Sequence, residues 1–128
     1  MNKSILMTAA ITGALAVILG AFGAHALKSR ISEQALETWH TGVQYQFYHV
    51  LALLFLAIIS TQTGLNVRFS ATCFTAGIIL FSGSLYLLSL REMLQAPWLK
   101  FLGPVTPIGG LLFIAGWVNL GIAGLRMK

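Results

Sequence analysis

Residues 4–27 read SILMTAAITGALAVILGAFGAHAL, with no charged side chain between Lys3 and Lys28. A helix rises about 1.5 Å per residue, so about 20 apolar residues cross a hydrocarbon core of about 30 Å. This stretch is long enough. Working outward from it, Thr38 to Val67, Phe69 to Leu90 and Phe101 to Leu125 are also free of charge, set apart by Glu37, Arg68, Arg91 and Lys100. The second run has slack, since Thr38 to Gln46 is fairly polar and Ser60 to Asn66 reads as a turn. Spans are therefore expected near 4–27, 43–61, 70–90 and 106–125, in one integral membrane domain covering 1–128. Backbone amides cannot stay unpaired in lipid, and the alternation of a barrel strand is missing. The fold class expected is an all-α membrane protein, an up-down bundle of four transmembrane helices.

Composition excludes the other classes. Hydrophobic residues make up 57% of the 128 and charged residues 9%, against roughly 25% charged in a soluble domain. The net charge of +5 does not indicate nucleic acid, because Lys and Arg punctuate the chain instead of clustering on one face. Membrane lipids are the expected surroundings. The single cysteine, Cys73, excludes an intrachain disulfide and a cysteine-based metal motif. Met1-Asn2-Lys3 and Ala24-His25-Ala26 imitate a secretory signal, but the apolar run exceeds the 7–15 residues of a signal core. In a four-span threading, Lys3, Arg68, Arg126 and Lys128 fall on one side and Lys28, Arg30, Arg91 and Lys100 on the other, which ties the positive-inside rule. The N-terminal amine tips the tie toward both termini in the cytoplasm, and Glu33, Glu37 and Glu92, all in the second group, lean the same way.

Small residues recur where helices need to approach each other. Thr8, Thr12, Ala16, Gly20 and Ala24 stand every fourth position in the first span; Gly77 and Ser84 repeat at seven in the third, as do Gly109, Gly116 and Ala123 in the fourth. Such seams let backbones meet, replacing the hydrophobic drive that lipid removes. Ala16, Gly20, Ala24, Gly77 and Gly116 are the expected helix-packing residues, either within the chain or against a second copy or another membrane protein.

Intramembrane polar groups are costly, and each needs an account. His25 ends the first span, Tyr45, Gln46, Tyr48 and His49 open the second, Ser82, Ser84 and Tyr86 lie in the third, and Thr106 opens the fourth. Up-down threading gathers all of these into one leaflet half and leaves the other, Asn119 apart, nearly pure hydrocarbon. Thr106 before Pro107 looks like an N-cap, with Gly109 and Gly110 keeping that helix start slim enough for an anion or a headgroup. The candidate ligand-binding set is His25, Tyr45, Gln46, His49, Ser82, Ser84, Tyr86, Thr106, Gly109 and Gly110. A hydrogen-bonded layer that fixes helix register accounts for the same residues. Metal binding has only His25, His49 and His40 without close spacing, haem would hang on two lone histidines, and proton transport lacks a membrane carboxylate. Ser82 or Ser84 as a nucleophile has no G-x-S-x-G elbow around it. No catalytic residue, metal or cofactor is expected.

Gly20-Ala21-Phe22-Gly23-Ala24-His25, Tyr45-Gln46 with His49, Phe81-Ser82-Gly83-Ser84-Leu85-Tyr86, Thr106-Pro107-Ile108-Gly109-Gly110 and Gly116-Trp117 stand in this order along nearly the whole chain. Together they resemble the YgdD family of small bacterial inner-membrane proteins, grouped as domain of unknown function family 423. The resemblance implies a four-span protein of the bacterial inner membrane and supplies no reaction. Two functions remain from the residues: a non-enzymatic protein that binds or passes a small molecule, ion or lipid headgroup, or a structural or assembly subunit acting through small-residue helix faces. The threading itself is testable. In a Cys73→Ser background, Lys28→Cys and Lys100→Cys should react with an impermeant maleimide from the same side of the membrane; labelling from opposite sides excludes the up-down order.

Overall fold

The computed structural model describes residues 2–128. Helix α1 runs over Lys3–Leu27, α2 over Glu33–Thr63, α3 over Arg68–Leu90 and α4 over Val105–Leu125, and a 3-10 turn, Pro97–Leu102, precedes α4. All four are long and apolar enough to cross a membrane, and the described residues contain no strand. The all-helical four-span fold is therefore as the sequence implies.

Local chemistry sets the helix ends. The Asn2 side chain accepts from the Ile5 N–H at 3.2 Å, and Ser32 Oγ accepts from the Ala35 N–H at 3.1 Å. Ser32 thus starts α2 at Glu33, well before residue 43. The resulting 31-residue helix is about 46 Å long, more than the hydrocarbon thickness, so its polar first turns reach beyond the core. It ends at Gly64, whose φ of +69° is a left-handed conformation that a residue with a side chain resists. Helix α4 departs from expectation at its start. Pro104 flanks it and Val105 is its first residue, so Thr106 is not the N-cap. Pro107 sits in the first turn, where no N–H is required.

The helices pack in chain order, α1 on α2, α2 on α3 and α3 on α4. Short connections make neighbours antiparallel. Helices α2 and α3 are central while α1 and α4 flank them, each showing most of its surface outward. The larger core joins Ile5 and Ala9 of α1, Val50, Leu53 and Leu56 of α2, Phe74 of α3 and Phe113 of α4; a smaller one gathers Leu27, Trp39 and Val43.

Glycines shape the contacts. The Phe113 ring fills the notch over Gly77, and reciprocally the Phe74 ring lies over Gly116, where a Cβ would come within 2.6 Å of it. At Gly109 the neighbour is the backbone of Phe81 itself. Gly110, by contrast, has only ordinary contact with the Phe81 ring. The small face of α1 is already occupied by α2: Ala9 and Ala16 are buried, Gly13 meets Val50 and Gly20 meets Val43, while Ala24 points outward. Two wider π-type turns, Gly23–Leu27 and Ile78–Ser82, fall at close approaches, Trp39 over Gly23 and Gly109 against Phe81. The 3-10 turn leaves Trp98 and Phe101 exposed, 66% and 74%, with the Lys100 ammonium 5.6 Å from the Phe101 ring, as suits a segment at headgroup level.

Because a rigid backbone faces Gly109, Gly109→Val should lower stability by about 2–3 kcal/mol, the upper part of the overpacking range. Gly121→Ala, where nothing lies within 4 Å of the added methyl, should stay within about 0.5 kcal/mol of wild type. Unfolding titrations in mixed micelles measure both.

Candidate functional site

The polar side chains of the helices meet in two hydrogen-bonded nodes. In the first, Gln46 is buried (3% exposed) between three helices. Its amide nitrogen donates to the Thr12 carbonyl of α1 at 2.7 Å, and the Tyr86 hydroxyl of α3 donates to its oxygen at 2.6 Å. Carbonyl and hydroxyl between them fix which way the amide points. Ser82 Oγ, fully buried, donates to the Gly42 carbonyl at 2.7 Å; the missing side chain of Gly42 is what lets the Tyr86 ring lie against α2. Ser84 Oγ donates to the Phe81 carbonyl at 2.9 Å, so in its 2.6 Å contact with Thr106 the threonine hydroxyl is the donor. That bond, not a cap, is the use α4 makes of Thr106.

His49 looks the other way, toward α4. Its Nδ1 lies 2.7 Å from the Tyr45 carbonyl and must donate to it, whereas the Trp117 indole N–H donates to Nε2 at 3.0 Å. The ring is therefore the neutral Nδ1–H tautomer with both nitrogens engaged. It stacks on Phe113 with centroids 3.6 Å apart and planes 7° from parallel, and meets Phe74 edge-on. His49 stands near the midpoint of α2, because that helix begins at Glu33.

The second node corrects the expected asymmetry. Ser70, fully buried in the first turn of α3, donates to the Gly116 carbonyl at 2.8 Å and accepts from the Asn119 amide at 3.0 Å. The half thought to be nearly pure hydrocarbon thus has its own polar lock, and the polar groups extend along the helices instead of filling one leaflet. Trp39 adds a tie between α2 and α1, its indole N–H donating to the Leu19 carbonyl at 2.9 Å. Neither Ser70 nor Trp39 is among the polar residues expected from the sequence. An indole N–H on a membrane helix needs an acceptor, which is the signal that was there to use.

Of the candidate ligand-binding residues, Gln46, His49, Ser82, Ser84, Tyr86 and Thr106 are brought into this bonded core. Tyr45 packs on Phe81 at 4.7 Å but is 38% exposed, and its hydroxyl takes no part. Gly109 and Gly110 are contacts with Phe81. His25 is exposed at the end of α1 and joins none of these bonds. No buried side-chain nitrogen or oxygen among the described residues lacks a partner, and none of their His, Cys, Asp and Glu side chains converge in threes. Chemically, the core holds helices together through these bonds, and each of its fully buried side-chain nitrogens and oxygens has a partner within the protein.

Open space lies instead at the end where the termini meet. Two adjoining grooves, of about 640 and about 720 Å3, share Leu65, Asn66, Arg68 and Thr72. The smaller runs between α3 and α4 past Phe69, Asn119, Ile122, Ala123 and Arg126; the larger runs between α1 and α3 past Asn2, Ser4, Thr8, Ala76 and Ile79. Both volumes fall in the roughly 300–1,000 Å3 of ligand clefts. Arg68, Arg126, Lys3 and Lys128 share this end with no Asp or Glu, since all three carboxylate side chains belong to the opposite end.

Fold and core together define a multi-span helical membrane protein locked by side-chain bonds to backbone carbonyls. The chain belongs to the family described as "Protein of unknown function (DUF423)", which matches residues 19–110 and is the one its ordered motifs resemble. It is similar to a protein called UPF0382 membrane protein in Staphylococcus aureus (strain bovine RF122 / ET3-1), 46% identical over 124 residues, 97% of each chain. A UPF0382 membrane protein of Bacillus subtilis (strain 168) is 41% identical over 126 residues, covering 97% of this chain and 98% of its own. No solved structure matches.

If the His49–Trp117 bond ties α2 to α4, a double-mutant cycle on His49→Phe and Trp117→Phe should give a coupling of about 0.6–1.7 kcal/mol, the range known for hydrogen bonds between membrane helices. Additive effects of the two substitutions on unfolding would show the bond to be energetically silent.

Proposed function

We propose that this chain is a non-enzymatic binding protein of the bacterial plasma membrane whose guest, a small molecule, ion or lipid headgroup, sits in the paired grooves around Arg68. The observation that carries this is the sharing of one arginine by two adjoining grooves at an end without acidic side chains. The polar core is read as the frame that holds those grooves, since each of its fully buried side-chain nitrogens and oxygens already has a partner within the protein. This moves the binding site from the Gln46–Tyr86 region to the opposite end of the bundle. It also favours binding over permeation, because aromatic rings pack the middle of the molecule around His49. The membrane location agrees with relatives named as membrane proteins in Bacillus and Staphylococcus. Both termini are placed in the cytoplasm on the same charge asymmetry, with Arg68 on that side. The assembly reading has less support, because the small face of α1 is already used by α2.

Ala76 and Ala123 make no side-chain hydrogen bond, and Ala76→Trp and Ala123→Trp each fill one groove. Native mass spectrometry of protein purified in mild detergent should show both variants retaining several-fold less bound small molecule or lipid than wild type. Gln46→Leu should reduce thermal stability and leave retention unchanged. The reverse pattern would return the site to the polar core.

A further inference from the structure

The two grooves share a polar centre at Arg68 and run apart into separate arms, each lined in part by apolar side chains. Leu65, Asn66, Arg68 and Thr72 belong to both, while Phe69 and Ile122 line one arm and Ile79 the other, all three strongly exposed apolar side chains on the helix surface. Between the arms stand the first turns of α3. We infer that one anionic phospholipid sits astride α3, its phosphate on Arg68 and one acyl chain in each groove. This deepens the function proposed above and rests on it.

The chemistry at the centre suits a phosphate. Arg68 is exposed, and its guanidinium has no hydrogen-bond partner among the described residues. A guanidinium presents a planar fork that pairs two phosphate oxygens at once. Asn66 spends its oxygen on the Arg68 backbone N–H at 3.1 Å, which leaves its amide nitrogen to donate to an incoming oxygen. Arg126 lines the groove between α3 and α4 and adds a second cation within the same site. Basic pockets between helices at a membrane face select anionic headgroups in this way. The two separate arms, each with apolar side chains along it, distinguish a diacyl lipid from a free anion: a soluble phosphate would leave both arms empty, and a single chain would leave one.

The test uses the full chain in a mild detergent, with native mass spectrometry reading retention of added phosphatidylglycerol, phosphatidylcholine and lyso-phosphatidylglycerol. Wild type should hold phosphatidylglycerol at least about tenfold more strongly than phosphatidylcholine, a difference of about 1.4 kcal/mol. The single-chain lipid should be held less well than the diacyl one, and millimolar glycerol 3-phosphate should not displace it. Arg68→Gln should abolish the preference with an unchanged melting temperature, since the side chain is exposed; the wild-type selectivity decides the matter even if that variant folds poorly. Equal retention of the anionic and zwitterionic lipids, still reduced in Ala76→Trp and Ala123→Trp, would overturn the anionic ligand while the groove function stands. Equal retention of one-chain and two-chain lipids would overturn the seating astride α3, and displacement by glycerol 3-phosphate would make a soluble anion the ligand. Retention unaffected by either tryptophan would remove the grooves altogether.

Discussion

Inside a bilayer, a polar group without a partner has no water to fall back on, and apolar side chains gain nothing from meeting each other that lipid does not already offer. The structure follows from that constraint. Helices α1 to α4 are joined by side chains that reach backbone carbonyls of a neighbouring helix: Gln46 to Thr12, Ser82 to Gly42, Ser70 to Gly116 and Trp39 to Leu19. A backbone carbonyl cannot rotate away or be exchanged for another residue's chemistry. Each such bond therefore fixes both the rotation of a helix and its height against the next.

These bonds need short distances between helix axes, and glycine supplies them. Gly42 lies beneath the Tyr86 ring that also reaches Gln46, and Gly116 takes the Phe74 ring while its own carbonyl receives Ser70. Close approach and hydrogen bonding are thus produced by the same residues. Phe74 and Phe113 fill each other's facing notches and enclose His49, so a basic side chain near the middle of the membrane stands as a neutral, doubly bonded ring.

Every fully buried side-chain nitrogen and oxygen of the described interior has a partner, whereas Lys3, Arg68, Arg126 and Lys128 share one end without a carboxylate side chain. Glu33, Glu37 and Glu92 at the other end moderate the cations there.

The four apolar runs were legible from sequence because membrane crossing depends on run length and the absence of charge, which are additive properties of a segment. The polar residues that matter were mostly legible too, since their cost in lipid marks them individually: Gln46, His49, Ser82, Ser84, Tyr86 and Thr106 all form part of the bonded core. Their partners were not legible. Whether Gln46 meets α1 or α4, whether Thr106 caps its own helix or bonds Ser84, and whether His25 joins the cluster or faces outward depend on helix rotation and crossing, to which every contact contributes at once. The same holds for Ser70 and for the grooves at Arg68, whose linings come from all four helices. Sequence alone determined that this chain crosses the membrane four times as helices, because run length and charge are properties of a segment; tertiary packing decided which polar groups satisfy one another, because that depends on how the helices rotate and cross.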